Sequence, residues 1–99
     1  AKAQKMRRLI QQDFQEAFKA CDVLVSPTSP TTAFDVGSKI DFSLHMYLTD
    51  IYTISANLAG IPALSVPAGM HPEDQLPVGI QFMAPHFKES LLFRAGSAV

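Results

Sequence analysis

The sequence predicts an α/β fold, and three observations support this prediction. The first twenty residues carry apolar side chains at spacings of three and four, which is the period of a helix. Short apolar runs bounded by polar residues or prolines follow, and such runs are typical of buried strands. The elements come in the order helix, strand, helix, strand, strand, helix, which places the chain in the α/β class. Three strands are too few for a sheet covered on both faces, so we expect further strands in a longer protein.

Composition excludes several functional classes. The chain has 99 residues, which allows one small domain at most, and its 47% hydrophobic content is too high for a disordered segment. A net charge of −1 gives no basic surface for nucleic acid. Apolar runs fall short of the roughly 20 residues of a membrane helix, and no signal-peptide pattern is present. The single cysteine excludes an internal disulfide and agrees with a cytoplasmic location.

The first predicted helix covers Ala1 to Cys21. It lacks a capping residue before its periodic run, and cations such as Arg7 and Arg8 near its start oppose the helix dipole. We therefore expect this helix to begin further upstream. We interpret Cys21 as a small core residue in preference to a reactive thiol. The predicted apolar face consists of Met6, Leu9, Ile10, Phe14, Ala17, Phe18 and Cys21.

The run Asp22 to Ser26 predicts a buried strand of a parallel sheet, and a loop rich in proline and hydroxyl side chains follows it. A second helix, capped by Asp41 or Ser43, is predicted to run to about Ala59. Gly60 is expected just past its end, where left-handed backbone is favoured. The predicted apolar stripe of this helix consists of Tyr47, Ile51, Ile54 and Leu58.

The last third predicts two strands and a helix. Ala63 to Val66 and Pro77 to Ala84 are the strands, and the loop between them is too short for a crossover helix. If they are neighbours, they should pair antiparallel. Glu89 to Val99 begins a third helix that stops without a cap. Together with the uncapped start, this predicts a chain truncated at both ends.

Tests for catalytic and metal motifs give no catalytic residue. The chain has no Gly-x-Ser-x-Gly elbow, no phosphate-binding loop and no His or Cys pair at metal-ligand spacing. We interpret three serines and three histidines as surface or structural residues, because no sequence pattern pairs them as nucleophile and base. These residues are Ser26, Ser29, Ser65, His45, His71 and His86.

Asp50 is the one residue singled out by helix geometry. At about 100° per residue, it lies about 60° to one side of the apolar stripe of the second helix. A carboxylate at that margin can face a cleft and hold an ammonium group through charge-assisted hydrogen bonds. The alternative is a solvated residue at the boundary of the buried face. Geometry alone favours this alternative.

Five stretches of the chain resemble the amidase-signature family. The widest resemblance is the run Asn57 to Pro67, which is similar to a segment of many amidases. Two stretches resemble the glutaminase (A) subunits of tRNA-dependent amidotransferases in particular. They are the Pro-Thr loop from Pro27 to Phe34 and the Met-Tyr-x-x-Asp helix from Met46 to Thr53. The segments Ala3 to Leu24 and Leu76 to Phe82 complete a resemblance that covers nearly the whole chain.

The resemblance implies the C-terminal part of a large α/β/α domain with a mixed sheet. It implies a Ser–cis-Ser–Lys triad that hydrolyses glutamine and passes ammonia to a B subunit, where ATP and Mg²⁺ are used to amidate Glu-tRNA(Gln) or Asp-tRNA(Asn). A C subunit bridges the two. The expected partners are thus glutamine and the B and C subunits, with tRNA reached only through the complex. The resemblance implies no cofactor in this segment and no membrane.

Only one functional residue carries over from the family. Asp50 matches the family position whose carboxylate binds the α-amino group of glutamine. The triad and the arginine that binds the α-carboxylate lie upstream in the family, so the chain alone is expected to be inactive. Two alternatives stay open, namely a segment of an amidase for small amides and a non-catalytic α/β interaction module.

Overall fold

The computed structural model describes residues 2–33 and 50–99. These residues form three helices and three strands in the predicted order of helix, strand, helix, strand, strand, helix. The elements are α1 (Lys2–Phe18), β1 (Leu24–Pro27), α2 (Ile54–Ala59), β2 (Ala63–Met70), β3 (Pro77–Met83) and α3 (Glu89–Ser97).

The first helix ends earlier than predicted. Helix α1 stops at Phe18, and two turn hydrogen bonds, from Lys19 N to Glu16 O and from Ala20 N to Ala17 O, close its last turn. Its predicted apolar face is only partly covered by the described residues. Phe14 and Phe18 are half-buried and stack with ring centroids 6.3 Å apart. By contrast, Met6 and Leu9 stay exposed.

The sheet has β3 in the centre, with the strand order β1-β3-β2. Strands β2 and β3 pair antiparallel, which confirms the prediction from their short connection. Strand β1 also pairs with β3 antiparallel, from Leu24 opposite Met83 to Pro27 opposite Ile80. The sequence predicted that Asp22 to Ser26 form a strand of a parallel sheet, and this direction of pairing is wrong. Residues of β1 alternate between half-buried and exposed, so the strand is covered on one face only.

The second helix differs most from its prediction. Residues 41–49 lie outside the described residues, and Asp50 to Thr53 form turns, so the described helix α2 begins at Ile54. Its buried residues are Ala56 and Ala59. Ile51 and Ile54, predicted to face the core, are about half exposed at 50% and 49%. Ile54 N still donates to Asp50 O at 3.0 Å, as in an α-helix, so both residues are exposed although helical hydrogen bonding continues through the turn.

The end of α2 confirms the sequence prediction. Gly60 has φ 72° and ψ 27°, which is left-handed backbone, and its N–H donates to Ala56 O and Asn57 O. Glycine adopts this conformation without the steric cost that a Cβ imposes. Pro62 then leads directly into β2, and its carbonyl accepts a hydrogen bond from Ala84 N at 3.2 Å. This bond ties the start of β2 to the end of β3.

The core of the described residues lies between the sheet and α3. Phe82, Ala84 and Leu92 are buried together, and Leu64 and Val66 of β2 pack against them. Gly96 of α3 brings the helix close to the sheet, because a Cβ at this position would lie 2.8 Å from Leu64 Cδ2. Within residues 2–33 and 50–99, no helix has the length and apolar character needed to cross a membrane.

Candidate functional site

Asp50 lies in the turn that leads into α2. Its backbone carbonyl accepts hydrogen bonds from Thr53 N at 3.1 Å and from Ile54 N at 3.0 Å, and Thr53 Oγ1 approaches the same oxygen at 3.3 Å. The residue is exposed in the described structure. The main chain at Asp50 is therefore fixed by the turn while the residue stays open to solvent. This arrangement is compatible with a carboxylate that binds a ligand and with a solvated boundary residue.

Gln81 connects the centre of the sheet to this turn. It is the buried polar residue of the described core, with 4% of its surface exposed. Its Nε2 donates to Tyr52 O at 2.8 Å and to Ser26 Oγ at 3.0 Å. Tyr52 is two residues after Asp50. The turn that carries Asp50 is thus bonded to β3 through a buried amide.

The two faces of β3 have different neighbours. Phe82 and Ile80 contact the core beneath α3. Since successive side chains of a strand point to opposite faces, Gln81 points to the other face, where its amide meets Tyr52 O. The Asp50 turn therefore lies on the face of the sheet opposite to α3.

The Pro-Thr loop is joined to β2 beside this turn. Thr28 Oγ1 and Ser65 Oγ share a hydrogen bond of 2.6 Å, and Thr28 N donates to Gly79 O at 3.2 Å. A Cβ on Gly79 would lie only 2.9 Å from Thr28 Oγ1. The absence of a side chain at Gly79 thus lets the loop pass close over β3.

A second contact joins the same loop to the turn between β2 and β3. Thr32 Oγ1 donates to Asp74 Oδ2 at 2.6 Å, and His71 Nδ1 lies 2.5 Å from Asp74 Oδ1. The hydrogen bond from Thr32 is the main reason that the pKa of Asp74 is below its ordinary value. Desolvation opposes this shift, whereas the nearby His71 adds to it. These residues border a polar cavity of about 440 Å³.

A larger cavity of about 640 Å³ lies between α1 and the end of α2. Phe14 and Phe18 line it from α1, and Ile61 lines it from the loop after α2. Gln11 Nε2 donates to Ala59 O at 3.1 Å across one side of the cavity. Its lining is mainly apolar, and the cavity does not include Asp50.

Among the described residues, none of Ser26, Ser29 and Ser65 is hydrogen-bonded to a histidine. Ser26 contacts Gln81, Ser65 contacts Thr28, and Ser29 Oγ donates to Thr31 O at 2.6 Å. His71 contacts Asp74, and His86 Nδ1 lies 3.2 Å from Gly60 O. His45 lies outside the described residues.

Cys21 is half-buried, and its thiol donates to Ala17 O at 3.3 Å. This position near the end of α1 agrees with the interpretation of a small packing residue. The described parts of the chain contain no group of three or more His, Cys, Asp or Glu residues that could hold a metal ion.

Sequence reasoning missed two features of this region. Gln81 reads in the sequence only as a polar residue of an alternating strand, and Asp74 only as part of a polar turn. A glutamine between Ile80 and Phe82 was the available signal, because an uncharged amide in a central strand is stable only with partners. Its partners Ser26 and Tyr52 could not be identified, since they are 55 and 29 residues away.

Comparisons with known proteins agree on the family. The Amidase family profile matches residues 1–93. The A subunit of the glutamyl-tRNA(Gln) amidotransferase from Paenarthrobacter aurescens is 58% identical over 97 residues, covering 98% of this chain and 19% of the relative. The crystal structure of the A subunit of the glutamyl-tRNA(Gln) amidotransferase from Thermotoga maritima superposes with a TM-score of 0.84 at 45% identity, covering 94% of this chain and 20% of that one.

A more distant structure has a different chemistry in its name. A 6-aminohexanoate cyclic dimer hydrolase superposes with a TM-score of 0.68 at 27% identity, covering 91% of this chain and 21% of that one. The chain spans about a fifth of the length of the relatives that it matches. Because the family profile covers almost every residue and the structures superpose over nearly the whole chain, this chain belongs to the Amidase family.

Proposed function

We propose that the chain is the C-terminal part of an amidase-signature domain, in the glutaminase (A) subunit of a tRNA-dependent amidotransferase. Such a protein hydrolyses glutamine and supplies ammonia for the conversion of Glu-tRNA(Gln) to Gln-tRNA(Gln). The observation that carries the proposal is 58% identity, over almost the whole chain, to a relative of that name. The corresponding structure from Thermotoga maritima supports the same choice.

Within that enzyme, Asp50 binds the α-amino group of glutamine. Its match to the Met-Tyr-x-x-Asp motif supports this role, and its exposed position is compatible with it. An ammonium group and a carboxylate form a charge-assisted hydrogen bond, which is stronger than a neutral one. The Ser–cis-Ser–Lys triad and the arginine for the α-carboxylate belong to the remainder of the longer protein.

The proposal includes the assembly that the resemblance implies. The glutaminase works in the cytoplasm together with the B and C subunits, and ammonia passes to the B subunit, where ATP and Mg²⁺ activate the tRNA-bound substrate. This segment contacts neither ATP nor tRNA. Its contribution is one wall of the glutamine site.

The test uses the full-length protein with its partner subunits. Asp50→Ala removes a charged hydrogen bond worth about 1.5–3 kcal/mol, so we expect the KM for glutamine to rise about 10- to 100-fold. Steady-state glutamate release measures this change. Asp22→Ala, which replaces another exposed aspartate, serves as the matched control and should leave KM unchanged. A wild-type KM for Asp50→Ala would remove this residue from the site.

A second candidate function is hydrolysis of small amides without a role in tRNA charging. The structural similarity to a 6-aminohexanoate cyclic dimer hydrolase, at 27% identity, supports this second candidate. Such an enzyme needs no carboxylate for an ammonium group. Comparing the full-length protein on glutamine and on a simple aliphatic amide distinguishes the two, because the glutaminase should prefer glutamine strongly. Hydrolysis of neither substrate would favour a non-catalytic interaction module.

A further inference from the structure

We propose that Gln81 is a positioning residue for Asp50, holding the turn that presents this carboxylate to glutamine. The inference rests on the proposed glutaminase function. Gln81 does not touch the substrate in this proposal. It acts through the carbonyl of Tyr52, to which its amide donates at 2.8 Å.

Both N–H groups of the Gln81 amide form hydrogen bonds. Nε2 carries two N–H groups, and they reach Tyr52 O and Ser26 Oγ. Ser26 Oγ in turn donates to Pro27 O at 3.0 Å. The amide is therefore held in one orientation. A neutral group that donates twice is required here, because both Tyr52 O and Ser26 Oγ accept.

Gln81 lies in the central strand of the sheet, with a paired strand on each side. It is opposite Ser26 of β1 on one side and opposite Ser65 of β2 on the other. Only 4% of its surface is exposed, so its amide is shielded from competing water. Gln81 is thus a rigid base from which the bond to Tyr52 extends.

The turn that carries Asp50 is closed by its own backbone hydrogen bonds. The carbonyl of Asp50 accepts from Thr53 N and Ile54 N, so residues 50 to 54 are joined by hydrogen bonds within one turn. The bond from Gln81 attaches this turn to β3. Without it, Tyr52 O loses its buried donor and the turn that carries Asp50 loses this attachment to the sheet. Small displacements of a binding group weaken its interaction with the substrate strongly.

The variant that tests this idea is Gln81→Met in the full-length protein with its partner subunits. Methionine is similar in length and volume but donates no hydrogen bond. Since a net hydrogen bond contributes up to about one factor of ten, we expect the KM for glutamine to rise about tenfold with kcat little changed. Gln11→Met is the matched control. It also removes a hydrogen bond from a glutamine amide to a backbone carbonyl, here 3.1 Å to Ala59 O at the far end of α2. It should leave KM unchanged.

A double-mutant cycle with Asp50→Ala separates positioning from general damage. If Gln81 acts through Asp50, Gln81→Met should raise KM in the wild-type background and add nothing once Asp50 is alanine. Additive effects, or an unchanged KM for Gln81→Met alone, would overturn the inference while leaving the proposed function intact.

Failure of the proposed function looks different. It would appear as absent glutaminase activity in the wild-type complex. An unchanged KM for Asp50→Ala would instead remove Asp50 from the site, and with it the reason to position this residue, while the glutaminase activity stands. If Gln81→Met does not fold, Gln81→Asn replaces it in the cycle. Asparagine keeps the donors but is one methylene shorter, so KM should rise in the same direction, and a wild-type KM would contradict the inference.

Discussion

Asp74 shows how a single side chain joins two segments that are distant in sequence. One carboxylate oxygen accepts from Thr32 and the other faces His71, so the Pro-Thr loop and the turn after β2 meet at this group. These partners lower the pKa of Asp74 below its ordinary value. The contact therefore stabilises the folded protein at neutral pH, and this stabilisation is lost as the pH falls through the lowered pKa.

We predict that Thr32→Val raises the pKa of Asp74 toward its ordinary value. Valine has the same shape as threonine but lacks the hydroxyl group that donates to Asp74 Oδ2. Carbon-13 NMR of the aspartate carboxyl carbons in the full-length protein measures the shift. Thr31→Val, at the neighbouring exposed threonine, is the control and should leave the Asp74 titration unchanged. An unchanged pKa in Thr32→Val would show that Thr32 does not hold this carboxylate.

For single residues, the sequence could indicate which side chains are unusual but not which side chains they contact in the fold. Asp50 was identified from helix geometry and a family motif, and its role as a ligand stays a prediction. The partners of Gln81 and Asp74 were missed because they lie far along the chain, with Thr32 and Asp74 separated by 42 residues. Only the folded sheet and its loops bring such groups together.

Among the elements, order and local turn chemistry were predictable, whereas the pairing of β1 and the burial of the second helix were not. Gly60 and the connection between β2 and β3 carry local signals, and both behaved as predicted. A short apolar run such as β1 contains no information on the direction of its partner strand. Likewise, an apolar stripe does not say which segment covers it, and Ile51 and Ile54 are about half exposed.

We predict that Gly60→Ala lowers the stability of the protein by about 1 kcal/mol, because a residue with a Cβ is strained in left-handed backbone. A Cβ at this position would meet no atom within 4 Å, so the cost is conformational and not a packing clash. The thermal unfolding midpoint of the full-length protein measures it. Gly60→Asn should cost less, because asparagine tolerates this conformation better. Equal midpoints for glycine and alanine would contradict this explanation.

For the whole molecule, the described residues contain a thin core. Their buried hydrophobic residues are Ala56, Ala59, Phe82, Met83, Ala84 and Leu92. Large apolar side chains remain open, including Phe87 at 80% and Phe93 at 66% exposure. Single exposed apolar residues are common, and only contiguous apolar patches mark contacts with other segments or proteins. Since the chain spans about a fifth of its relatives, we expect the remainder of a longer protein to cover them.

We predict that the isolated 99-residue chain hydrolyses no amide. In the described structure, Ser26, Ser29 and Ser65 bond to an amide, a backbone carbonyl and a threonine hydroxyl, so none of these contacts supplies a base. A serine nucleophile needs such a base within hydrogen-bond reach. Incubation with glutamine and with a simple aliphatic amide, followed by ammonia detection, measures the activity. The full-length protein is the positive control, and ammonia release by the isolated chain would refute the prediction.

The central place of β3 has a consequence for how the chain is made. Strand β1 pairs with residues that lie more than half the chain downstream, from Ile80 to Met83. While the ribosome synthesises the protein, β1 therefore emerges long before β3, its partner strand among the described residues. The local β2–β3 hairpin can close first, and β1 then adds to its free edge in a slower step of long-range loop closure. Until then, β1 has an unpaired edge that a chaperone or a neighbouring segment could protect from aggregation.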